Sequence, residues 1–410
     1  MVCRGTSSKS RTLTLSDPHQ GNLAADTFER FDPSRVPSPC FVVDEVAVER
    51  NLQILDRVQR ESGAKILLAL KAFSMFSMAP LVRRYLQGTC ASGLWEARLG
   101  REEYGGEVHV YSAAFQSEDL QEVLGIADHV VFNSLSQWER FQPLVREALL
   151  KRPALDFGLR VNPRHSEGAV PLYDPCAPGS RLGMPISQLP GRDLSGFNGL
   201  HFHTLCEQNY APLGRTLDVI EANCAELLER MEWVNFGGGH HISHPSYDVD
   251  ALIARIKHFS DRYSVQVYLE PGEAIAIRSG VLVSEVLDVM ENEMPIAVLD
   301  SSATCHMPDT LEMPYRAHIK DSGAAGQLPH TYRLGGLSCL AGDVMGDYSF
   351  ERPLQVGQRL VFDDMAHYTM VKTSTFNGVR LPALAVWNSL TDDLRIVREF
   401  GYQDFRNRLS

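Results

Sequence analysis

The residues best able to do chemistry in this chain sit where short apolar runs end. In Leu67-Leu-Ala-Leu-Lys71-Ala-Phe73 a single lysine follows the run 66–70 and precedes a polar stretch from Ser74. An ammonium there must be paired, desolvated or chemically used, because an unpaired charge in a dry interior is costly. Desolvation lowers a lysine's pKa and frees the amine as a nucleophile for Schiff-base chemistry. Lys71 alone fits equally well a strand-end lysine that snorkels into solvent. Other runs close on Arg160-Val-Asn162, His203, Gly237-Gly-Gly239 and Glu270-Pro-Gly272. Three glycines can form a plain tight turn or bring several backbone N–H groups onto an anion such as a phosphate. Glu270 can pair with a basic neighbour or keep a heterocyclic nitrogen protonated. His203 can offer its ring face to a planar ligand, while His201, two residues earlier on the same strand face, reads as a satisfied interior histidine.

The elements that must position these groups alternate. Strand signals at 65–70, 108–112, 129–132, 155–161, 199–203, 233–236 and 265–269 are interleaved with helical spacing at 46–62, 78–86, 120–126, 135–150, 213–231 and 249–263. Parallel strands need crossover helices, so about seven or eight such units predict a (β/α)8 barrel, whose chemistry gathers at the carboxyl ends of its strands. After Pro271 the pattern changes to strands alone, at 280–290, 295–300, 331–334 and 359–362. The expected organisation is a flexible tail over 1–36, a barrel over 37–275 and a C-terminal β-domain over 276–410. The strand 41–44 is a candidate member of the β-domain.

Composition bounds the partners. The 410 residues carry 39 basic and 51 acidic side chains, a net charge of −12. That balance argues against nucleic acid or anionic membrane as the main partner and allows a cationic small substrate. The eight cysteines, at positions 3, 40, 90, 176, 206, 224, 305 and 339, form no C-x-x-C pair. They read as reduced thiols of a cytoplasmic protein, not as a disulfide framework or a zinc site. No apolar run approaches the ~20 residues of a membrane span, and no secretory signal is expected at the N-terminus.

An aldehyde-reactive lysine, a phosphate cradle, a stacking ring and a carboxylate for a ring nitrogen together describe a pyridoxal 5'-phosphate site. Over about 37–400 the chain resembles the fold-type III pyridoxal phosphate decarboxylases, the alanine racemase and ornithine decarboxylase superfamily. The resemblance rests also on Gly336-Leu-Ser-Cys339-Leu-Ala-Gly-Asp343, Asp364-Met-Ala-His-Tyr368-Thr and Thr375-Phe-Asn-Gly378. It implies a pyridoxal-phosphate-binding (β/α)8 barrel plus a C-terminal β-domain. The implied cofactor residues are Lys71, His203, Gly237, Gly238, Gly239, Glu270, Gly272 and Tyr368. It further implies a homodimer with shared active sites, in which Cys339 comes from the partner subunit to protonate the α-carbon and Asp343 faces the substrate's amines.

Within that superfamily the chain is most similar to the carboxynorspermidine and carboxyspermidine decarboxylases of polyamine biosynthesis. Leu205-Cys206-Glu207, Glu270-Pro-Gly-Glu273 and the segment from Ala303 through Asp309 and Glu312 to Arg316 carry that likeness. Where diaminopimelate and ornithine decarboxylases usually hold the phosphate with an arginine, Glu273 stands here. Where an arginine grips the distal carboxylate of diaminopimelate, Glu312 stands, or Asp309 one register away. A carboxylate repels a carboxylate and pairs with an amine, so the expected substrate carries a cationic tail, with Asp309, Glu312, Asp343 and Glu273 as its binding acids. The alternatives are diaminopimelate decarboxylase, a catalytically silent relative and, from another class, a zinc hydrolase using His201, His203, His240 and His241.

Overall fold

The computed structural model describes residues 28–168, 170–312 and 315–410. Residues 1–27 of the expected tail, Cys3 among them, and Met313 and Pro314 of the acidic segment lie outside the described residues.

The chain enters through strand β1 (Cys40–Asp44), whose last residue caps the helix Glu45–Ser62 by accepting a hydrogen bond from the Val46 N–H. Val48, Leu52, Leu55 and Val58 form the buried stripe of that helix, and it stops at Gly63 in the left-handed conformation. Gly63 meets that geometry without a Cβ penalty. The barrel follows as β2 (Lys65–Ala69), β3 (Gly88–Ala91), β4 (Glu107–Tyr111), β5 (His129–Phe132), β6 (Asp156–Asn162), the two-residue β7 (Met184–Pro185), β8 (Gly199–His201), β9 (Trp233–Asn235) and β10 (Gln266–Leu269). Pairing runs β2-β3-β4-β5-β6-β8-β9-β10 and returns from β10 to β2, all parallel, so eight strands close, with β7 extending from the end of β6. Burial of nearly every residue in β2 and β6 is what a sheet covered on both faces requires.

One barrel strand, β3, was not expected. Its Gly-Thr-Cys-Ala sequence has one β-branched residue and no large apolar or aromatic one, so its strand signal is weak, and at Gly88 the neighbouring backbone lies too close for any side chain. A Cβ on Gly88 would stand 1.9 Å from the Glu107 carbonyl oxygen. The helix expected over 78–86 shortens to Ala79–Val82, and a helix at Leu94–Leu99 covers β3.

The second sheet comprises β11 (Gly280–Asn292), β12 (Met294–Leu299), β13 (Ser322–Ala324), β14 (His330–Gly335), β15 (Val344–Phe350), β16 (Arg359–Phe362), β17 (Ala383–Trp387) and β18 (Leu394–Arg398). β1 lies inside this sheet, antiparallel to β11 and parallel to β17. Residues 28–36, expected to belong to a flexible tail, are packed instead. Phe28 and Phe31 are buried with their rings 5.3 and 5.2 Å from that of Trp387, and Val36 is buried with them. Apolar burial of this size outweighs the ordering entropy that the polar composition of the segment suggests. Among the described residues no helix is long and apolar enough to cross a membrane, and the seven described cysteines are free.

Candidate active site

Lys71 occupies the turn after β2, and that turn is pinned from three directions. The Ala69 N–H donates to the Pro271 carbonyl at 3.0 Å, the Leu70 N–H to the Cys90 carbonyl at 3.1 Å, and the Ala72 carbonyl accepts from the Tyr368 N–H at 2.7 Å. The lysine is therefore fixed by both flanking barrel strands and by the β-domain. Its side chain is accessible through a cavity mouth, yet protein surrounds it closely, and burial pulls its pKa below the ordinary lysine value. Cys90, Glu270 and Glu96 act in the opposite sense, and the Arg160 guanidinium adds to the lowering.

One cavity brings Lys71, His203, Gly239, Glu270, Gly272 and Tyr368 together, with His240, His241 and Glu273 completing the wall. Glu270 accepts at one oxygen from Asn235 Nδ2 (2.7 Å) and at the other from His201 Nε2 (3.1 Å). Burial alone would raise this carboxyl. The His201 ring and the Asn235 amide outweigh it and bring the pKa to about 2. His201 is itself driven toward the neutral form by burial, so it serves as an N–H donor. It is thus the partner that holds Glu270, a more specific role than the satisfied interior histidine read from the sequence. His203 is neutral for the same reason, and its Nδ1 accepts the Gly238 N–H at 3.0 Å, which fixes the ring and leaves its proton on Nε2.

The glycines are required by close approach. Cβ atoms at Gly237, Gly238 and Gly239 would stand 2.5, 2.1 and 2.0 Å from the carbonyl oxygens of Phe202, Glu270 and Leu205. The expected three-donor phosphate cradle is only partly available, however, because the Gly237 N–H is spent on Asn235 Oδ1 and the Gly238 N–H on His203. Gly272 has the same reason to be glycine, since its Cβ would lie 2.5 Å from that of Ala72. Tyr368 holds φ at 47°, a left-handed conformation costly for an aromatic residue. Asp364 and Asn377 in the same region, and Glu207 across the cavity, also have positive φ.

The other expected residues lie outside that cavity wall. Cys339 is exposed, its N–H bonded to Asn377 Oδ1 at 2.7 Å. Asp343, expected to face substrate amines, is buried, with one oxygen accepting from the Thr304 N–H and the other from the Ser338 N–H, each at 3.2 Å. It shapes the loop that presents Cys339. Asp309 and Glu312 are already engaged by the ammonium of Lys372, which lies 2.9 Å from Glu312 and also pairs with Asp309. Sequence reading missed Lys372, Cys90, Asn235 and His367, and met His241 only as a candidate zinc ligand. Each acquires its place only through long-range pairing, and the Arg160 signal at the end of β6 was seen without a role.

The zinc reading has no support in the placement of its ligand atoms, since among the described residues those of His201, His203, His240 and His241 form no group within mutual reach of a metal. His201, His203 and His240 turn ring nitrogens to Glu270, Gly238 and Tyr247. Among the described residues the grouping within mutual reach of a metal is Glu107, His109 and His129, at the opposite ends of the strands. There the two rings stack at 4.0 Å and 10°, so their in-plane lone pairs run side by side, and Lys65 Nζ lies 2.6 Å from Glu107.

The cavity fits pyridoxal phosphate on a feature of its own chemistry. An ionised carboxylate with both oxygens fixed faces the same space as a desolvated lysine, and a ring nitrogen and an aldehyde require that pair.

Comparison with known proteins agrees. A family model described as "Pyridoxal-dependent decarboxylase, C-terminal sheet domain" matches residues 40–366. The chain is 46% identical to the carboxyaminopropylagmatine decarboxylase of Synechocystis sp., over 95% of this chain and 99% of that protein. It is 42% identical to a carboxynorspermidine/carboxyspermidine decarboxylase of Campylobacter jejuni, over 91% of this chain and 99% of the relative. The crystal structure of carboxynorspermidine decarboxylase from Campylobacter jejuni, complexed with norspermidine, superposes with a TM-score of 0.83 at 41% identity, covering 91% of this chain and all of that one. With its closed barrel, its second sheet and these relatives, the chain belongs to the pyridoxal-dependent decarboxylase family, and its cofactor is pyridoxal phosphate.

Proposed function

We propose that this decarboxylase removes the α-carboxylate of carboxynorspermidine, carboxyspermidine or both, releasing the polyamine and carbon dioxide. The observation that carries this reading is the acidic character of the segment 309–312, where among the described residues Asp309 and Glu312 share one cation, Lys372, and so keep a net negative charge. A cationic tail is attracted to such a site and a second carboxylate is repelled, which disfavours diaminopimelate. The relatives with carboxynorspermidine and carboxyspermidine in their names support the same substrate class. A second reading, a tail ending in a guanidinium, is favoured by the 46% identity to the carboxyaminopropylagmatine decarboxylase.

The bound cofactor supplies an electron sink for the pair left behind when carbon dioxide departs. Around it each side chain has a separable task. Lys71, whose pKa burial lowers, would hold the cofactor's aldehyde through its ε-amine. Glu270, held by His201 and Asn235, keeps a proton on the ring nitrogen. His203, locked by the Gly238 N–H, would offer its ring face to the cofactor and exclude water there. Gly239 and Tyr368 contribute to the phosphate end. Cys339 of the partner subunit delivers the proton to the α-carbon, and its exposure in the single chain, beside exposed Leu337, Leu340 and Phe376, supports a homodimer with shared sites. Free thiols throughout the described residues support a cytoplasmic location.

The test is carbon dioxide release from the cofactor-loaded protein given carboxynorspermidine, carboxyspermidine, carboxyaminopropylagmatine and meso-diaminopimelate in parallel. Turnover of either of the first two, with little of the last, is the expected result. Turnover of carboxyaminopropylagmatine alone would select the second reading, and turnover of diaminopimelate alone would overturn the assignment of the acidic site.

A further inference from the structure

Cys339 stands in an exposed loop whose backbone is nevertheless held. The base of the loop closes on Asp343. Its carbonyl accepts the Gly336 N–H at 2.8 Å, its N–H donates to the Leu340 carbonyl at 2.9 Å, and its carboxylate takes the Ser338 N–H at 3.2 Å. Beyond that base the Cys339 N–H donates to Asn377 Oδ1 at 2.7 Å, across 38 residues of sequence.

Asn377 belongs to Thr375-Phe-Asn-Gly378, a motif that contributes nothing to the wall of the catalytic cavity. Its turn is closed on itself, the Gly378 N–H donating to the Thr375 carbonyl and the Val379 N–H to the Phe376 carbonyl, each at 3.1 Å. Asn377 lies at φ 59° and ψ 15°, a left-handed conformation that asparagine tolerates better than most residues with a side chain. The turn is tied to the helix Ala303–His306 at two points. The Ser374 N–H donates to the Cys305 carbonyl at 2.9 Å. His306, fully buried, accepts the Ser302 N–H at Nδ1 and so donates from Nε2 to the Arg380 carbonyl at 2.9 Å. The loop of Cys339 is tied to the same helix, because Asp343 also accepts the Thr304 N–H. Loop and turn thus share one anchor, and the Asn377 amide bridges them at the cysteine.

We propose that Asn377 is the positioning residue for the Cys339 thiol, its anchored amide oxygen fixing the cysteine backbone so that the thiol meets the α-carbon. The role rests on the reading of Cys339 as the proton donor to a partner's site. Water satisfies an exposed N–H, but a partner covering Leu337, Leu340 and Phe376 leaves little water there, and a buried donor without an acceptor is costly. Loss of carbon dioxide leaves an electron pair shared between the α-carbon and the carbon of the cofactor's former aldehyde. A proton on the first gives the amine. A proton on the second, followed by hydrolysis of the C=N bond by one water, gives an aldehyde and the pyridoxamine form of the cofactor. The substrate carbon is then oxidised as the cofactor is reduced, with no outside oxidant. A displaced thiol therefore shows in which carbon receives the proton.

Asn377→Gly removes the acceptor and keeps the turn, since glycine takes positive φ without strain. Asn377→Asp keeps an acceptor in the same place. In the cofactor-loaded full-length protein, with the substrate that wild type turns over, Asn377→Gly is expected to raise the fraction of turnovers ending in pyridoxamine phosphate by roughly five- to tenfold, with KM unchanged. Asn377→Asp is expected to keep the wild-type mixture. Hydrogen–deuterium exchange of the same proteins without substrate is the second readout. The Cys339 amide is expected to exchange about tenfold faster in Asn377→Gly, and the Ser338 amide, held by Asp343, at the wild-type rate. The wild-type product mixture in Asn377→Gly, equal diversion in Asn377→Gly and Asn377→Asp, or an unchanged exchange rate at Cys339 would overturn the proposal. Cys339→Ala separates the two readings. Diversion there with none in Asn377→Gly removes the role of Asn377 alone, whereas the wild-type mixture from Cys339→Ala overturns the reading of Cys339 and this proposal with it.

Discussion

At the scale of single residues, the central pair is Lys71 and Glu270, one with its pKa lowered by the protein packed around it and the other kept ionised by two donors. Glu270→Gln should retain the cofactor but lower kcat on the order of 10²-fold, because the ring nitrogen then lacks the charge that keeps it protonated. Steady-state kinetics beside cofactor absorbance checks this. Lys71→Ala should lose the borohydride-reducible bond to the protein, and a persistent bond at another lysine would remove Lys71 from the site. Lys372 gives a subtler expectation. If the substrate's tail binds at Asp309 and Glu312, it competes with that ammonium, and Lys372→Met should lower KM for a cationic substrate by roughly two- to fivefold. An unchanged KM would mean that the tail binds elsewhere. Lys71, Glu270 and His203 were legible because each closes an apolar run in a barrel. The pairing of His241 and His367 with Glu273 was not, since nothing in their local sequence indicates that Glu273 lies between them.

Among the elements, β4 and β5 bring Glu107, His109 and His129 to the end of the barrel opposite the catalytic cavity. Burial, then the neighbouring His109, pushes His129 down to about 3. A group whose folded value lies below its unfolded value of about 6.5 stabilises the protein fully above that pH and loses the contribution as pH falls toward about 3. His129→Asn should therefore flatten the pH dependence of the urea midpoint between pH 6.5 and 4, where the wild-type histidine contributes a slope of up to roughly 1 kcal/mol per pH unit. Identical slopes in the two proteins would refute the argument. The same elements mark what patterning could and could not reveal. Seven barrel strands stand out as apolar runs, whereas β3 hides because its small residues answer to a backbone packed against Gly88. Composition likewise concealed residues 28–36, whose few aromatic side chains find Trp387 far along the chain.

For the whole molecule, the proposed sharing of sites between subunits has a quantitative consequence. Mixing Lys71→Ala with Cys339→Ala protomers under exchange should restore about a quarter of normal product formation, because heterodimers regain one complete site in two. No recovery after demonstrated exchange would place both residues in the same subunit's site. Leu340→Glu, a charge in the exposed apolar patch beside Cys339, should shift the protein toward monomer in sedimentation. The position of β1 reaches further. Cys40 pairs with Val283 on one side and Ala383 on the other, so the chain begins the second domain, leaves to build the whole barrel, and returns to finish what it began. On the ribosome, the barrel strands and their crossover helices can associate as they emerge, while β1 waits with one edge open until β11 has been made and with the other open until β17 follows, near the end of the chain. An open edge that persists this long invites pairing with another chain. A nascent protein halted before Ala383 is therefore where misassembly should begin.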